Sequence, residues 1–288
     1  MRIATWNINS VRARTERALD VLDRWDLDVL LLQETKCRPD QFPVDAFAAA
    51  GYEVAAAGLN QWNGVAIISR VGISEVQTQF PGQPAFAKQD ASGALLATPV
   101  VEPRAIGARV GDTEKVGGTE KETGIEVWSI YVPNGRAYGD PHFHYKLEFL
   151  EKLNTAVKAE LAARPQARIL LGGDWNVAPE DTDVWDPELF AQEIKMYTSA
   201  EERAAFHAFG QSQGAAPGLV ELSRQASGAQ YTFWDYQRLR FPKNHGMRID
   251  FAWASQPLAQ DFSAAWIDRE ERKGKGASDH VPVILEFT

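Results

Sequence analysis

The chain has 288 residues, of which 44% are hydrophobic and 24% charged, a composition typical of a soluble globular protein. Its net charge of −9 argues against a protein that coats nucleic acid, since such proteins are normally basic, but it leaves open an enzyme with a local basic rim around an acidic site. One cysteine, Cys37, excludes an internal disulfide. No signal-type segment follows Arg2 and the aliphatic runs are too short to cross a bilayer, so we expect a soluble, cytoplasmic protein without membrane contact.

The first part of the chain predicts strands and helices in alternation. Residues 2–8 form an apolar run that predicts a buried strand, and residues 12–25 carry apolar side chains at helical spacing. Residues 28–33 and 64–69 predict two further strands. The segment between these two strands is mixed and contains prolines and glycines, with one short helix expected around residues 45–50.

The pattern weakens between residues 72 and 124. Strand-like pieces cover residues 94–101 and 104–110. The piece at 111–124 is rich in Glu, Lys, Thr and Gly, which predicts an exposed hairpin tip without a binding role.

The later elements are clearer. Residues 126–132 predict a strand, and apolar residues from 143 to 161 mark a long amphipathic helix. A short apolar run then leads to Asp174, and residues 199–202 (SAEE) have the form of a helix capping box. The closing strands are predicted at 248–254 and 281–287. No repeat or long linker divides the chain, so we expect one domain over residues 1–288.

Acidic and amide side chains recur where the predicted strands end. They are Asn7, Glu34, Asp174 with Asn176 two residues later, Asp250, and the pair Asp279 and His280 before the last strand. Strand ends that meet at one edge are where α/β folds place their sites. We therefore expect these side chains to share one cleft.

The chemistry of these residues suits a metal-assisted hydrolase. Glu34 and Asp279 are oxygen donors of the kind that Mg²⁺ or Mn²⁺ takes, and the chain lacks the Cys/His spacing of structural zinc. Asp250 would orient His280 and raise its pKa, so that the imidazole contacts phosphate oxygens. Asp174 would accept a proton from an attacking water.

Asn176 and Asn7 are neutral groups that would position the water, the phosphate or the acids. Together the set describes metal-assisted phosphodiester hydrolysis. Any one of these residues is more often a turn or helix cap, and only the recurrence of the same pattern in one chain favours the catalytic interpretation.

A block of cations follows an aromatic segment at residues 231–236. The cations are Arg238, Arg240, Lys243, His245 and Arg248. Phosphate contacts and stacking on an extruded sugar would use that pairing, although a solvated loop beside core aromatics has the same composition.

These motifs resemble the exonuclease III family of apurinic/apyrimidinic endonucleases, within the DNase-I-like endonuclease/exonuclease/phosphatase superfamily. The motifs are TWNIN at 5–9, LQETK at 32–36, NGVA at 63–66, YVPNG at 131–135, GDWN at 173–176, GMRID at 246–250 and SDHVP at 278–282. They cover nearly the whole chain in family-like order. The departure from the family is the longer stretch between residues 71 and 124, which carries no motif.

The resemblance implies an α/β fold, a four-layered α/β sandwich of two packed mixed β-sheets flanked by helices. It implies Glu34 as the main ligand of Mg²⁺ (or Mn²⁺), with Asn7 and Asp279 nearby. The implied catalytic residues are Asp174, Asn176, His280, Asp250 and Tyr131. The expected DNA-binding residues are Asn134, Arg136, Phe233, Trp234, Arg238, Lys243, Met247 and Trp253, with Phe233 and Trp253 as walls of an abasic pocket.

The implied activity is a DNA repair nuclease of base excision repair. It would act as a monomer on duplex DNA with abasic sites or blocked 3′ ends, cutting 5′ to the abasic site, shortening strands 3′→5′ and removing 3′ blocking groups. Two alternatives stay open: a phosphodiesterase of the same superfamily on a non-DNA phosphate ester, and a catalytically silent DNA-binding module.

Overall fold

The strands and helices were assigned in a computed structural model, which describes residues 1–88, 95–111, 113–116, 119–122, 124–194 and 196–288. The strands are β1 (Arg2–Asn7), β2 (Val29–Gln33), β3 (Glu53–Ala57), β4 (Val65–Ser69), β5 (Ile73–Gln77), β6 (Ala105–Val110), β7 (Thr113–Val116), β8 (Thr119–Glu122), β9 (Ile125–Tyr131), β10 (Ile169–Asp174), β11 (Val220–Glu221), β12 (Asp250–Ala254), β13 (Phe262–Ile267) and β14 (Val283–Phe287). The α-helices are α1 (Thr15–Arg24), α2 (Val44–Ala49), α3 (Pro141–Ala163), α4 (Pro187–Leu189), α5 (Ala200–His207) and α6 (Gln256–Ala259). In the described residues no helix is both long enough and apolar enough to cross a membrane.

Two six-stranded mixed sheets form the centre of the fold. The first sheet has the order β13-β14-β1-β2-β4-β3, and the second has the order β11-β12-β10-β9-β6-β5. β1 runs parallel to β2 and β9 runs parallel to β10, while the other pairings are antiparallel. β7 and β8 form a separate hairpin, as the sequence predicts for residues 111–124, and the tip of that segment lies outside the described residues.

Strand alternation divides the apolar residues into three layers of core. On β1, Ile3 faces the second sheet, whereas Ala4 and Trp6 pack with α1 on the outer face. On β10, Leu170 faces the first sheet and Leu171 packs under α3 and α5. The order helix, sheet, sheet, helix confirms the predicted four-layered α/β sandwich.

Glycines let β10 lie close to its neighbours. A Cβ on Gly173 would lie 1.9 Å from the carbonyl oxygen of Ile130, and one on Gly172 would lie 2.9 Å from Leu31 Cδ1 of the facing sheet. Contacts this short are not available to any larger residue. The run of glycines therefore fixes the height of Asp174, which stands at the end of the same strand on the inner face.

Most predicted elements are confirmed within two or three residues, including α3 and the capping box, in which Ser199 Oγ accepts from Glu202 N and Glu202 accepts from Ser199 N. β3, β5, β11 and β13 were not predicted. The expected strand at 94–101 is wrong for residues 95–101, which form isolated bridges, such as that between Val100 and Phe86, and no strand; residue 94 lies outside the described residues.

Candidate active site

Five strand-end segments meet at one edge of the sandwich. In the second sheet the register places Asp174 level with Asp250 on one side and with Tyr131 on the other. In the first sheet Asn7 pairs with Gln33, the residue before Glu34. Because the two sheets pack face to face, these ends open into one cleft, as the sequence predicts.

The imidazole of His280 is held by Asp250. His280 Nδ1 lies 2.9 Å from Asp250 Oδ2 and 3.1 Å from Oδ1, and the side chains of both residues are buried. Burial lowers the pKa of His280, but the carboxylates of Asp250 and Asp174 outweigh it and raise the pKa to about 10. The ring is therefore a cation at neutral pH, with one N–H donated to Asp250 and the other free for a second acceptor.

That second N–H points toward Asp174. His280 Nε2 lies 3.8 Å from Asp174 Oδ2, which is too long for a direct hydrogen bond. Asp174 Oδ2 accepts from Asn7 Nδ2 at 2.9 Å, and Oδ1 accepts from the backbone N of Asn176 at 3.0 Å. Burial raises the pKa of Asp174 to about 7, with His280 opposing the rise and Asp250 adding to it. Asp174 is therefore poised to exchange a proton near neutral pH.

Glu34 lies on the other side of Asn7. Its Oε1 accepts from Asn7 Nδ2 at 2.9 Å and its Oε2 pairs with Lys36 Nζ at 2.8 Å. Burial alone would raise the pKa of Glu34, but the charge of Lys36 and the hydrogen bonds from Asn7 and Lys36 lower it. Glu34 thus stays a carboxylate and is already matched with a cation.

Asn9 connects this carboxylate to Asp279. Asn9 Nδ2 donates to Asp279 Oδ1 at 2.9 Å, and Asn9 Oδ1 accepts from Lys36 Nζ at 2.6 Å. Asn7 Oδ1 accepts from the backbone N of Asn9 at 3.1 Å, so Asn7 turns its NH₂ group to both Glu34 and Asp174. In this orientation the NH₂ group of Asn7 bridges the carboxylates of Glu34 and Asp174, and no lone pair of Asn7 lies between them.

Two clusters of side chains in the cleft differ in how well they suit a metal ion. Within the described residues one trio of metal-ligating types, Asp174, Asp250 and His280, has atoms within 4.8 Å of one another. A protonated imidazole has no lone pair to bind a metal, so this trio is poorly suited to it. Glu34 fits a hard divalent cation better, because its carboxylate already attracts one cation, the ammonium of Lys36. Asp279 belongs to the same hydrogen-bonded chain.

Tyr131 closes the floor of the cleft. The phenol is buried beneath the guanidinium of Arg104, 4.7 Å from the ring centroid. Burial and the charge of Glu34 raise the pKa of Tyr131 well above its ordinary value, while Arg104 opposes the rise. Tyr131 is thus a neutral hydrogen-bond donor at working pH.

Asn134 and Asn176 face each other across two loops. Asn134 Nδ2 lies 3.4 Å from Asn176 Oδ1 and 2.7 Å from the hydroxyl of Tyr197. Asn176 has a φ of +50°, and its Nδ2 donates to the carbonyl of Val132 at 2.9 Å. The two carboxamides therefore form a joined pair beside Asp174, and Tyr197 is a member that the sequence did not indicate.

Several predicted DNA-binding residues surround the cleft. Phe233 packs edge-on against His280, with 4.8 Å between ring centroids, and exchanges backbone hydrogen bonds with Met247. Arg136, Arg238 and Lys243 are exposed. Their contact with DNA stays a prediction.

Three other residues are buried away from any ligand surface. Trp253 is 5% exposed and packs with Trp175, Phe206 and Phe209 on the helix side of the second sheet. It lies three residues along β12 from Asp250 and so points to the opposite face, and its prediction as a pocket wall is wrong.

Trp234 is fully buried against Tyr231 and Phe241, so its prediction as a DNA contact is also wrong. Arg248 is buried and donates to the carbonyls of Gln230, Ser223 and Ala229 rather than facing phosphate. The ring of Trp234 packs against other aromatic rings, and each nitrogen of the Arg248 guanidinium donates to a carbonyl, so neither side chain needs a ligand.

A second rim of the cleft was not predicted from the sequence. Arg12, Lys36, Arg38 and Trp62 line an open depression of about 350 Å³, and the Trp62 side chain is 69% exposed. Exposed aromatic rings beside cations are groups on which bases stack and with which phosphates pair. The signal was available in Trp62, which directly precedes the NGVA motif.

Substituting Asn for Asp250 tests the charge assignment of His280. The variant removes the carboxylate that most strongly favours the imidazolium, so the pKa of His280 should fall from its raised value. Titration of the ring by heteronuclear NMR measures the change, with the exposed Asp23→Asn as control. An unchanged pKa would show that Asp250 does not set the charge of the ring.

Comparisons with known proteins agree with this geometry. A model of the endonuclease/exonuclease/phosphatase family matches residues 4–280. The chain is 26% identical to exodeoxyribonuclease III of Haemophilus influenzae over 294 residues, with 100% of both chains covered. It superimposes on the 3′ phosphatase NExo from Neisseria, solved with a product DNA hairpin, with a TM-score of 0.83 and 32% identity over 100% of this chain and 99% of that one.

A third similar protein is an AP endonuclease from Archaeoglobus fulgidus, with a TM-score of 0.78 and 27% identity over 100% of this chain and 99% of that one. The matched family spans nearly the whole chain, including every strand-end residue of the cleft. The chain therefore belongs to the endonuclease/exonuclease/phosphatase family, as a hydrolytic nuclease of its exonuclease III branch.

Proposed function

We propose that the chain is a Mg²⁺-dependent nuclease of base excision repair. It hydrolyses the phosphodiester 5′ to abasic sites in duplex DNA, and it removes nucleotides and blocking groups from 3′ ends. The observation that carries this proposal is the buried imidazolium of His280, fixed by Asp250 and separated by 3.8 Å from the proton-accepting carboxylate of Asp174. The named activities of NExo and the archaeal AP endonuclease support the choice of DNA.

His280 binds the scissile phosphate in this proposal. Its Nδ1 is occupied by Asp250, so Nε2–H is the donor left for a non-bridging phosphate oxygen. A fixed cation in a water-poor cleft stabilises the charge that develops on the phosphorane oxygens without having to reorganise. The neutral phenol of Tyr131 and the carboxamide of Asn134 are further donors at the same level.

Asp174 takes the proton of the attacking water. A base whose pKa lies near the working pH is largely deprotonated and is still strong enough to accept a proton. Burial raises the pKa of Asp174 into that range. Asn7 and Asn176 donate to its oxygens and fix their direction. The new P–O bond forms to the water oxygen while the bond to the O3′ oxygen breaks.

Glu34 and Asp279 would hold the divalent ion, with Asn7 as the bridge to Asp174. We take Mg²⁺ as the ion, with Mn²⁺ as its substitute, because the donors are hard oxygens. When bound there, the ion would neutralise phosphate charge and assist the leaving oxygen. Lys36 would have to leave Glu34, which its long side chain allows.

Exposed cations around the cleft account for binding an anionic substrate to an acidic protein. Arg136, Arg238 and Lys243 are exposed, and Arg12 and Arg38 line the depression at Trp62. Phosphate contacts of this kind set position and salt dependence rather than sequence preference. Phe233 and Met247 would wall the pocket for an extruded abasic sugar.

We further infer that residues 1–288 act as one domain, as a monomer, in the compartment that holds the DNA. The interior supports the first point, since one apolar layer joins both sheets.

Cleavage of labelled duplexes tests the function. One duplex carries a single abasic-site analogue, one carries a 3′-phosphate and one is undamaged, each incubated with Mg²⁺ or with EDTA. We expect a Mg²⁺-dependent cut at the lesion, release of the 3′-phosphate and shortening of the undamaged strand from its 3′ end. No product from any duplex, together with hydrolysis of a phosphoinositide, would replace this proposal with the non-DNA phosphodiesterase.

Asp174→Asn should reduce turnover on the abasic duplex by on the order of 10²–10⁴-fold, because the variant cannot accept the proton. The Kd for DNA, measured in EDTA, should change by no more than a small factor, since the side chain is buried. Asp23→Asn, an exposed substitution on α1, should match the parent protein in both measurements. An active Asp174→Asn variant would remove Asp174 from the mechanism.

Glu34→Gln should raise the Mg²⁺ concentration needed for half-maximal cleavage at least tenfold. The variant keeps the size of the side chain and its contact with Asn7 but loses the charge that attracts the ion. A Mg²⁺ titration of the cleavage rate measures this. If the midpoint stays where it is in the parent protein, the ion is held elsewhere.

A further inference from the structure

A lysine is fully buried behind the cleft. Lys146 lies on α3 with 0% of its side chain exposed. Its Nζ donates to the backbone carbonyl of Asn176 at 2.5 Å and lies 3.5 Å from the carbonyl of Asn134. Asn176 is the residue whose carboxamide lies 3.4 Å from Asp174 Oδ2, and Asn134 is its carboxamide partner.

Glu202 supplies the counter-charge. Its Oε1 pairs with Lys146 Nζ, and its Oε2 accepts from the backbone N of Ser199 at 3.0 Å as part of the capping box that begins α5. The Lys146–Glu202 ion pair therefore connects the start of α5 and the helix α3 with the loops after β9 and β10. Four segments of the chain meet at one ammonium.

Stability alone is a weak reason for such a pair. Removing two charges from water is costly, and apolar replacements of buried ion pairs are often neutral or stabilising. Burial lowers the pKa of Lys146, and the attraction of Glu202 only opposes that effect. A role in setting the geometry of the cleft explains why the charge is there.

The loops need such a restraint. Arg136 has a φ of +58°, in the left-handed region that arginine seldom adopts, and Asn176, with a φ of +50°, lies in the same region, which Asn adopts more readily. The carboxamide of Asn176 must lie within reach of Asp174 Oδ2, at 3.4 Å, and of Asn134. A hydrogen bond from Lys146 to the carbonyl of Asn176 fixes the backbone from which that side chain projects.

We propose that Lys146 is a positioning residue for phosphodiester hydrolysis. Its ammonium, held by Glu202, clamps the carbonyls of Asn176 and Asn134 and so aims both carboxamides and the backbone N–H of Asn176 at the reacting groups. This inference rests on the proposed function of the cleft. Lys146 itself touches no reacting atom.

The same helix provides a matched control. Lys158, twelve residues later and about 18 Å along the helix, is also buried and donates to the carbonyls of Phe209, Gln211 and Pro217. Those carbonyls belong to the segment after α5 and not to the loops that carry Asn134 and Asn176. A Lys→Met change at either position removes a buried ammonium from loop carbonyls, but only the change at 146 frees the loops of the site.

The test compares kcat and KM on the abasic duplex for Lys146→Met, Lys158→Met and the double variant Lys146→Met/Glu202→Gln. We expect kcat to fall about 10²-fold for Lys146→Met, the size of effect that follows from small displacement of reacting groups, with KM changed far less. Lys158→Met should keep its kcat even if its Tm falls.

The double variant separates positioning from stability. It removes the unpaired charge that Lys146→Met leaves at Glu202 and keeps a capping-box acceptor, so its Tm should recover toward that of the parent protein while kcat stays low. Recovery of kcat together with Tm would overturn the proposal, as would a Lys146→Met protein with the parent kcat.

A measurement without turnover distinguishes this proposal from the function on which it rests. The side-chain NH₂ resonances of Asn134 and Asn176 should shift in Lys146→Met and stay in place in Lys158→Met. If they shift but the parent protein cleaves no DNA, the positioning role holds and the proposed function fails. If they do not move while the parent protein is active, the positioning role fails.

Discussion

Withdrawal of Asp174 from water is the constraint on which the cleft depends. A carboxylate buried at the end of β10 is costly unless its oxygens are bonded, and here Asn7, Asn176 and the charge of His280 share that task. His280 in turn is charged because Asp250 holds its other nitrogen and Asp174 lies nearby. Removing any member changes the proton affinity of the others.

The sandwich makes this arrangement by bringing two inner faces together. Asn7 comes from the first sheet and Asp174 from the second, and they meet because the glycines of β10 allow close approach both to β9 and to the facing sheet. Below them Gln33 donates to Thr5 Oγ1 and to Ser129 Oγ, which joins the sheets by a polar contact one layer under the site. The edge is therefore rigid where the chemistry is proposed.

Local patterns in the sequence were enough for most of the fold and for the acids of the cleft. Strands rich in β-branched and leucine residues were found, while β3, with three alanines in five residues, and the exposed edge strand β5 give almost no periodic signal. The strand-end acids were found because each one follows an apolar run. Aromatic residues were the weak point, since burial of Trp234 and Trp253 depends on which face of the fold they meet.

Other parts of the site could not have come from local patterns. Lys146 and Glu202 are 56 residues apart and meet only because α3 and α5 pack together. Asn9 and Lys36 are likewise joined by the pairing of β1 with β2. Such partners are set by tertiary structure, and neither residue type at these positions signals a functional role by itself.

In the proposed mechanism the metal ion binds at Glu34 and the phosphate binds at the imidazolium of His280. Anomalous diffraction from crystals soaked in Mn²⁺ tests that division most directly. We expect the anomalous peak at the carboxylate of Glu34, with Lys36 displaced from it. A peak bonded to His280 Nε2 and Asp174 would contradict this division, since it would require a neutral imidazole and a different site for the phosphate.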